Sequence, residues 1–156
     1  MLINIINLRD KQYLIKKKEG VIKVKEPSMN IKIDFFQKDL INSIDAGIYE
    51  ISIIKNGKSK SIYIGESVYV IVRCAEHLYE LNKNPKYFGF TEDTIKDQSI
   101  TLKFSIIEKE DEKSLRRKRE TQLIKEKKPL SQSGINDYQK SEQDRILALT
   151  NFLKSV

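Results

Sequence analysis

The side chains best equipped for chemistry in this sequence are two tyrosines, an arginine, a histidine, a glutamate and a glutamine. Tyr49 closes the tripeptide Gly47-Ile48-Tyr49, and Tyr63 opens its reversal, Tyr63-Ile64-Gly65. Arg73 and His77 follow at one-turn helical spacing, Glu120 heads the stretch Glu120-Thr-Gln-Leu-Ile124, and Gln132 ends Pro129-Leu-Ser-Gln132. Phenol, imidazole, guanidinium and carboxylate can together orient or deprotonate water, hold an anion and bind a cation. Each residue also has a plain structural reading. Strand tyrosines form cross-strand pairs, Arg73 and His77 suit a solvated helix face, and Glu120 sits at helical spacing for an ion pair with Arg116 or Arg117.

The elements that must position these groups can be read from pattern and punctuation. Asn56-Gly57 between two apolar runs is a hairpin-turn signal, so both tyrosines fall on adjacent antiparallel strands. Ser67 can cap a helix in which Val68, Ile71, Val72, Ala75 and Leu78 form the buried stripe and Tyr69, Arg73, His77 and Glu80 another face. That helix is expected to end near Leu81, before Pro85, and Lys86 to Thr91 reads as a loop. Ile100, Leu102, Phe104 and Ile106 alternate as a third strand. A second helix runs from about Ser114 to Lys127 and is stopped by Pro129, with the dense basic run Arg116, Arg117, Lys118 and Arg119 in its first half. Ile146, Leu149, Leu153 and Val156 mark a terminal amphipathic helix. The expected fold is α/β of the α+β type: a small three-stranded antiparallel sheet flanked by helices. Residues 1–44 are an N-terminal extension, 45–135 the core, and 136–156 a C-terminal helix packed on it. The extension is rich in Ile, Val and Lys, and Gly20 to Lys25 alternates like a strand, which suits either a cap on the core or an arm that contacts nucleic acid.

A chain of 156 residues suits one domain and leaves little room for a second, full-sized recognition domain. Its 29 Lys and Arg against 22 Asp and Glu give a net charge of +7, which fits a polyanionic partner, although Lys-rich and Ile-rich composition also follows from genomic base composition. The single cysteine, Cys74, excludes an intramolecular disulfide and points to a reducing, cytoplasmic setting. It reads as a small buried apolar residue rather than a nucleophile. The opening apolar run is too brief for a signal peptide or a membrane span.

The two tripeptides, Arg73 and His77, the Glu-x-x-Leu-Ile helix at Glu120 and the run ending at Gln132 together resemble the signature of the GIY-YIG nuclease family. The resemblance implies a metal-dependent endonuclease acting on double-stranded DNA. Glu120 would be the sole protein ligand of one Mg²⁺, with Mn²⁺ as a substitute. Arg73 would hold the scissile phosphate, Tyr49 would orient or deprotonate the attacking water, Tyr63 would hydrogen-bond in the same site, and His77 would partner a tyrosine hydroxyl or relay its proton. A tyrosine base, with an ordinary pKa of about 10, needs nearby positive charge to lower it. Arg116, Arg117, Lys118 and Arg119 become a grip on backbone phosphates. Two positions depart from the family pattern. Glu66 brings an acidic group where many members carry Lys or a small polar residue. Gln132 stands for Asn, which shifts the amide by one methylene, with Asn136 as an alternative source of the amide. The short chain favours the compact restriction-type branch, for which a homodimer would match the two strands of a palindrome. The alternatives are a catalytically impaired nucleic-acid-binding module, motivated by Gln132, and a structure-selective or weakly specific nuclease of repair, mobile-element transfer or defence.

Overall fold

The fold is described from a computed structural model, for residues 29–133 and 139–156. Gly20 to Lys25 and Asn136 lie outside the described residues. Strands β1 (Lys32–Phe35), β2 (Gly47–Lys55), β3 (Lys58–Ser67) and β4 (Thr101–Lys109) form one sheet in the order β1-β4-β2-β3. The expectation of three antiparallel strands is corrected by β1, which pairs parallel to β4 from Lys32 opposite Thr101 to Phe35 opposite Phe104. A parallel partner so distant in sequence has no hairpin turn to announce it. Around β1, Ile31 and Phe36 are buried in the main core.

Asn56 and Gly57 both adopt positive φ, 49° and 76°, the left-handed pair that matches the strand twist in a two-residue hairpin. The hairpin register sets Tyr49 opposite Gly65 and Ile51 opposite Tyr63. Alternation along β2 sends neighbouring side chains to opposite faces. Tyr49, Ile51 and Ile53 join the larger core, while Ile48 packs with Ile64, Leu123 and Ile124 in a smaller cluster against helix α2 (Lys113–Lys127). Lys128, at φ 47°, gives α2 a left-handed terminus just before Pro129, so the stop falls where proline requires it.

Helix α1 spans Val70–Lys83, and its phase differs from the expected one. Its buried residues are Val70, Cys74, His77 and Leu81, whereas Val68 and Val72 are more than half exposed. β3 continues to Ser67, whose hydroxyl accepts from the Tyr69 N–H at 3.0 Å, so the helix begins later than a Ser67 cap would place it, and the face it buries is the one that carries His77. No helix among the described residues is long and apolar enough to cross a membrane.

Helix α3 (Glu142–Lys154) buries Leu149 and Leu153 in the main core, and each such side chain contributes on the order of 1.5–3 kcal/mol. Its approach depends on Gly89, at φ 91°, where a Cβ would collide with the Arg145 carbonyl oxygen. Phe88 and Phe90, on either side of that glycine, are fully buried. Gly89→Ala should therefore destabilise the protein by about 1–3 kcal/mol, from backbone strain and loss of the close approach. Urea denaturation checks the size of the effect. Faster hydrogen exchange concentrated in α3 would locate it there, and an unchanged midpoint would refute it.

Candidate active site

Gly65 makes room for the tyrosines, and Gly47 for the close approach of β4. A Cβ on Gly65 would strike the Tyr49 hydroxyl, approach Tyr49 Cζ to 2.5 Å and Tyr63 Cε1 to 2.9 Å, so no other residue leaves both rings in position. At Gly47 the obstacle is the Glu108 carbonyl oxygen, which would stand 2.5 Å from any Cβ placed there. Tyr49 and Tyr63 stack with ring centroids 6.3 Å apart, and Tyr49 is buried while Tyr63 is half-buried.

His77 is 1% exposed and joins two phenols. Its Nε2 lies 2.7 Å from the Tyr49 hydroxyl and its Nδ1 2.8 Å from that of Tyr87. Tyr63 and Phe88 pack against the imidazole at centroid distances of 4.7 and 5.8 Å. Burial first, and then the positive charge of Arg73, lower the His77 pKa from 6.5 to about 3, so the ring is neutral and offers one N–H and one lone pair. Burial raises the Tyr49 pKa well above the usual phenol range, with Tyr63 and Cys74 adding to the rise. Arg73, by charge and hydrogen bond, acts in the opposite direction. Cys74 is fully buried, and burial raises its thiol pKa too, which makes it a core residue.

Arg73 projects from the exposed side of α1. Its Nη1 meets Glu76 Oε2 at 2.7 Å, the largest cause of its raised pKa, with both side chains about half exposed. An exposed pair of this kind is worth little, on the order of 0–1 kcal/mol, so Arg73 can leave Glu76 for a phosphate at small cost. Arg73, Tyr49, Tyr63 and Gly65 line one side of an open cleft of about 480 Å³, and Glu66, Glu120, Arg117 and Thr121 complete it.

The α2 side of the cleft is built around the outer edge of β3. Glu120, 5% exposed, accepts the Glu66 N–H at 3.0 Å. Gln132 accepts the Ile64 N–H at 2.9 Å and donates to the Ile64 carbonyl at 2.7 Å, so its amide serves the strand backbone and does not line the cleft. Among the basic residues only some face outward. Arg116 is 2% exposed, its Nε 2.7 Å from Glu66 and its Nη1 donating to the carbonyls of Glu110 at 3.2 Å and Asp111 at 2.7 Å. Arg117 is exposed at the cleft, Lys118 is exposed, and Arg119 pairs with Glu108 at 3.0 Å.

Tyr49, Tyr63, Arg73 and Glu120 thus converge on one cleft, with His77 behind Tyr49, while Gln132 and Arg116 are engaged elsewhere. Sequence reasoning missed Tyr87, which lies in a segment read as a loop. The aromatic run Tyr87-Phe88-Gly89-Phe90 was the available signal, since so much apolar surface in a loop must be buried.

The family model described as the GIY-YIG catalytic domain matches residues 46–136, more than half of the chain. No curated protein and no solved structure matches.

Two outcomes follow from this geometry. Gln132→Ala leaves a buried N–H and C=O of Ile64 without the amide and should cost about 1–3 kcal/mol, with Gln132→Asn in between because its reach is shorter. Chemical denaturation of both variants tests this, and equal stability of all three proteins would contradict it. The second outcome concerns pH. His77 holds its folded pKa at about 3 against 6.5, so the unfolded chain takes up a proton that the folded chain refuses. Its contribution is complete above about pH 6.5 and declines as pH falls toward about 3. The stability difference between the natural protein and His77→Phe should accordingly shrink on acidification, measured by urea titrations from pH 7 to pH 4.

Proposed function

The chain belongs to the GIY-YIG nuclease family, and from that premise we propose that it is a restriction-type endonuclease that hydrolyses double-stranded DNA with the help of one divalent cation, Mg²⁺ or in its place Mn²⁺. One observation carries the reading: Tyr49, Tyr63, Arg73 and Glu120, from four different elements, line a single cleft, and Tyr49 is hydrogen-bonded to His77. The donor set suits the cation. Among the described residues no three His, Cys, Asp or Glu side chains gather, and Mg²⁺ characteristically takes one or two carboxylates while keeping waters and binding phosphate oxygens. Glu120 would hold it, with one carboxylate oxygen already fixed by the Glu66 N–H. When bound, the cation neutralises charge on the phosphate and the leaving oxygen.

The chain's own groups do the rest. Arg73 exchanges Glu76 for the non-bridging oxygens of the scissile phosphate. Burial opposes a standing tyrosinate at Tyr49, so Tyr49 acts by passing its proton to His77 Nε2 as it takes one from the attacking water. Tyr63 stacks beside it and confines the water. Arg117, exposed at the mouth, and Lys118 grip flanking phosphates. Residues 45–135 form the catalytic unit, and a homodimer would present two such clefts to the two DNA strands. The buried, lone Cys74 suits a reducing, cytoplasmic setting. Gln132 offers no support for an impaired binding module, because its amide is committed to Ile64.

Glu120→Ala is expected to bind DNA and fail to cut it. Arg73→Ala should slow single-turnover cleavage at saturating enzyme by roughly a hundredfold or more, while Arg117→Ala with Lys118→Ala should weaken binding and flatten its salt dependence. Plasmid cleavage with and without Mg²⁺, beside a binding titration, separates the three effects. Cleavage by Glu120→Ala, or a change in affinity alone for Arg73→Ala, would overturn the assignment.

A further inference from the structure

We propose that Tyr87 is a positioning residue at the outer end of a proton relay, Tyr49–His77–Tyr87, and that it holds His77 in the tautomer with the proton on Nδ1. The inference rests on the reading of Tyr49 as the group that takes a proton from water, and it adds where that proton goes and what sets its direction.

A neutral imidazole between two phenols can be oriented in two ways. In one, Nε2–H donates to Tyr49. In the other, Nε2 accepts the Tyr49 proton and Nδ1–H donates to the Tyr87 oxygen, and only this second polarity allows Tyr49 to release a proton inward. Arg73 selects it. The guanidinium charge acts on the Tyr49 hydroxyl and has no acceptor capacity, so it favours the arrangement in which the Tyr49 oxygen turns its lone pairs toward Arg73 and its proton away. The proton of this buried hydroxyl then needs an acceptor, and His77 Nε2 stands 2.7 Å away. With Nε2 occupied as acceptor, Nδ1 carries the hydrogen and donates to Tyr87 at 2.8 Å.

Tyr87 is suited to be the exit. It is half-buried, whereas Tyr49 and His77 are each only 1% exposed. The short 3-10 turn Pro85–Tyr87 that carries it is capped by Asn84, and the Arg145 Nε donates to the Lys86 carbonyl at 3.4 Å. The charged or titratable groups acting on the relay are Arg73 on all three members, Tyr63 and Cys74 on Tyr49, and Glu80 and Arg145 on Tyr87. The transfer balances. The water's proton passes to the Tyr49 oxygen, the Tyr49 proton to Nε2, the Nδ1 proton to the Tyr87 oxygen, and the Tyr87 proton to solvent. Hydroxide is left to attack phosphorus, all three side chains stay neutral, and His77 ends with its proton on Nε2. Passage of one proton inward through Tyr87 and out into the cleft restores the starting tautomer.

His77 is the chain's only histidine, so its ring nitrogens give unambiguous signals in ¹⁵N-histidine-labelled protein. The natural protein should show the neutral Nδ1–H tautomer with a slowly exchanging proton, and Tyr87→Phe, which keeps the ring but removes the acceptor, should lose that slow exchange. In single-turnover plasmid cleavage with Mg²⁺, Tyr87→Phe should lower the rate at least tenfold with unchanged DNA affinity, alter the pH–rate profile and reduce the solvent isotope effect. In a His77→Phe background it should add nothing. An Nε2–H tautomer in the natural protein, or a Tyr87→Phe enzyme with natural rate and pH profile, would overturn the relay. A natural protein that binds but never cuts would instead refute the nuclease mechanism, and the tautomer measurement would still decide the polarity, including where Tyr87→Phe fails to fold.

Discussion

The free edge of β3 is the constraint on which the site depends. β3 is the last strand of the sheet, so every second backbone group along it points away from β2 and needs a partner from elsewhere. The chain provides them in sequence. Leu130 N–H and Ser131 N–H donate to the carbonyls of Ser61 and Ile62, each at 3.0 Å, then the Gln132 amide takes both backbone groups of Ile64, and Glu120 accepts the Glu66 N–H. Closing the edge and placing the cleft carboxylate are therefore one event. Leu123 and Ile124, packed against Ile48 and Ile64, set the distance of α2 from the strand, and Glu120, one turn earlier, has only to reach the next free N–H. A carboxylate fixed in this way loses little freedom on meeting a cation.

Glu66 and Arg116 show how an acidic residue can stand at a cleft meant for a polyanion. Glu66 is tied to the nearly inaccessible Arg116, with Arg117 3.7 Å away on its other oxygen, so its charge is offset before any phosphate arrives. Arg116 in turn satisfies the carbonyls of Glu110 and Asp111 that lead into α2. Removing one partner of such a buried pair typically costs about 3–5 kcal/mol, because the other charge is left without compensation. This couples the two positions: a basic or small residue at 66 requires a different residue at 116. The same coupling breaks up the basic run, since four consecutive residues on a helix cannot all face solvent when the helix packs on a sheet.

Local signals made much of this legible in the sequence. The hairpin followed from Asn56-Gly57, the β4 strand from the alternation of Leu102, Phe104 and Ile106, and the end of α2 from Pro129. Convergence of Tyr49, Tyr63, Arg73 and Glu120 was readable because the spacing of a family signature encodes a geometry that no single residue reveals. What escaped is non-local or runs against hydropathy. β1 joins a strand remote in sequence. The phase of α1 runs against hydropathy, because its inward face carries a histidine while Val68, just before it, and Val72 face solvent. Gln132 and Arg116, polar residues that would ordinarily be assigned to surface or site, are buried for backbone reasons that become visible only when the strand edge is seen to lack partners.

The same burial that stabilises the domain works against its chemistry. Tyr49 and His77 lie among Tyr63, Tyr87 and Phe88, an aromatic nest continuous with the main core, and desolvation there disfavours both tyrosinate and imidazolium. A mechanism that parks charge on either ring would have to overcome that penalty. One in which protons shift together along 2.7 and 2.8 Å hydrogen bonds keeps every ring neutral and avoids it. The penalty then becomes useful, because a histidine that cannot hold a proton passes it on. α3 and Gly89, far from the cleft in sequence, hold the turn that sets Tyr87 beside His77, so the position of that phenol depends on how α3 docks.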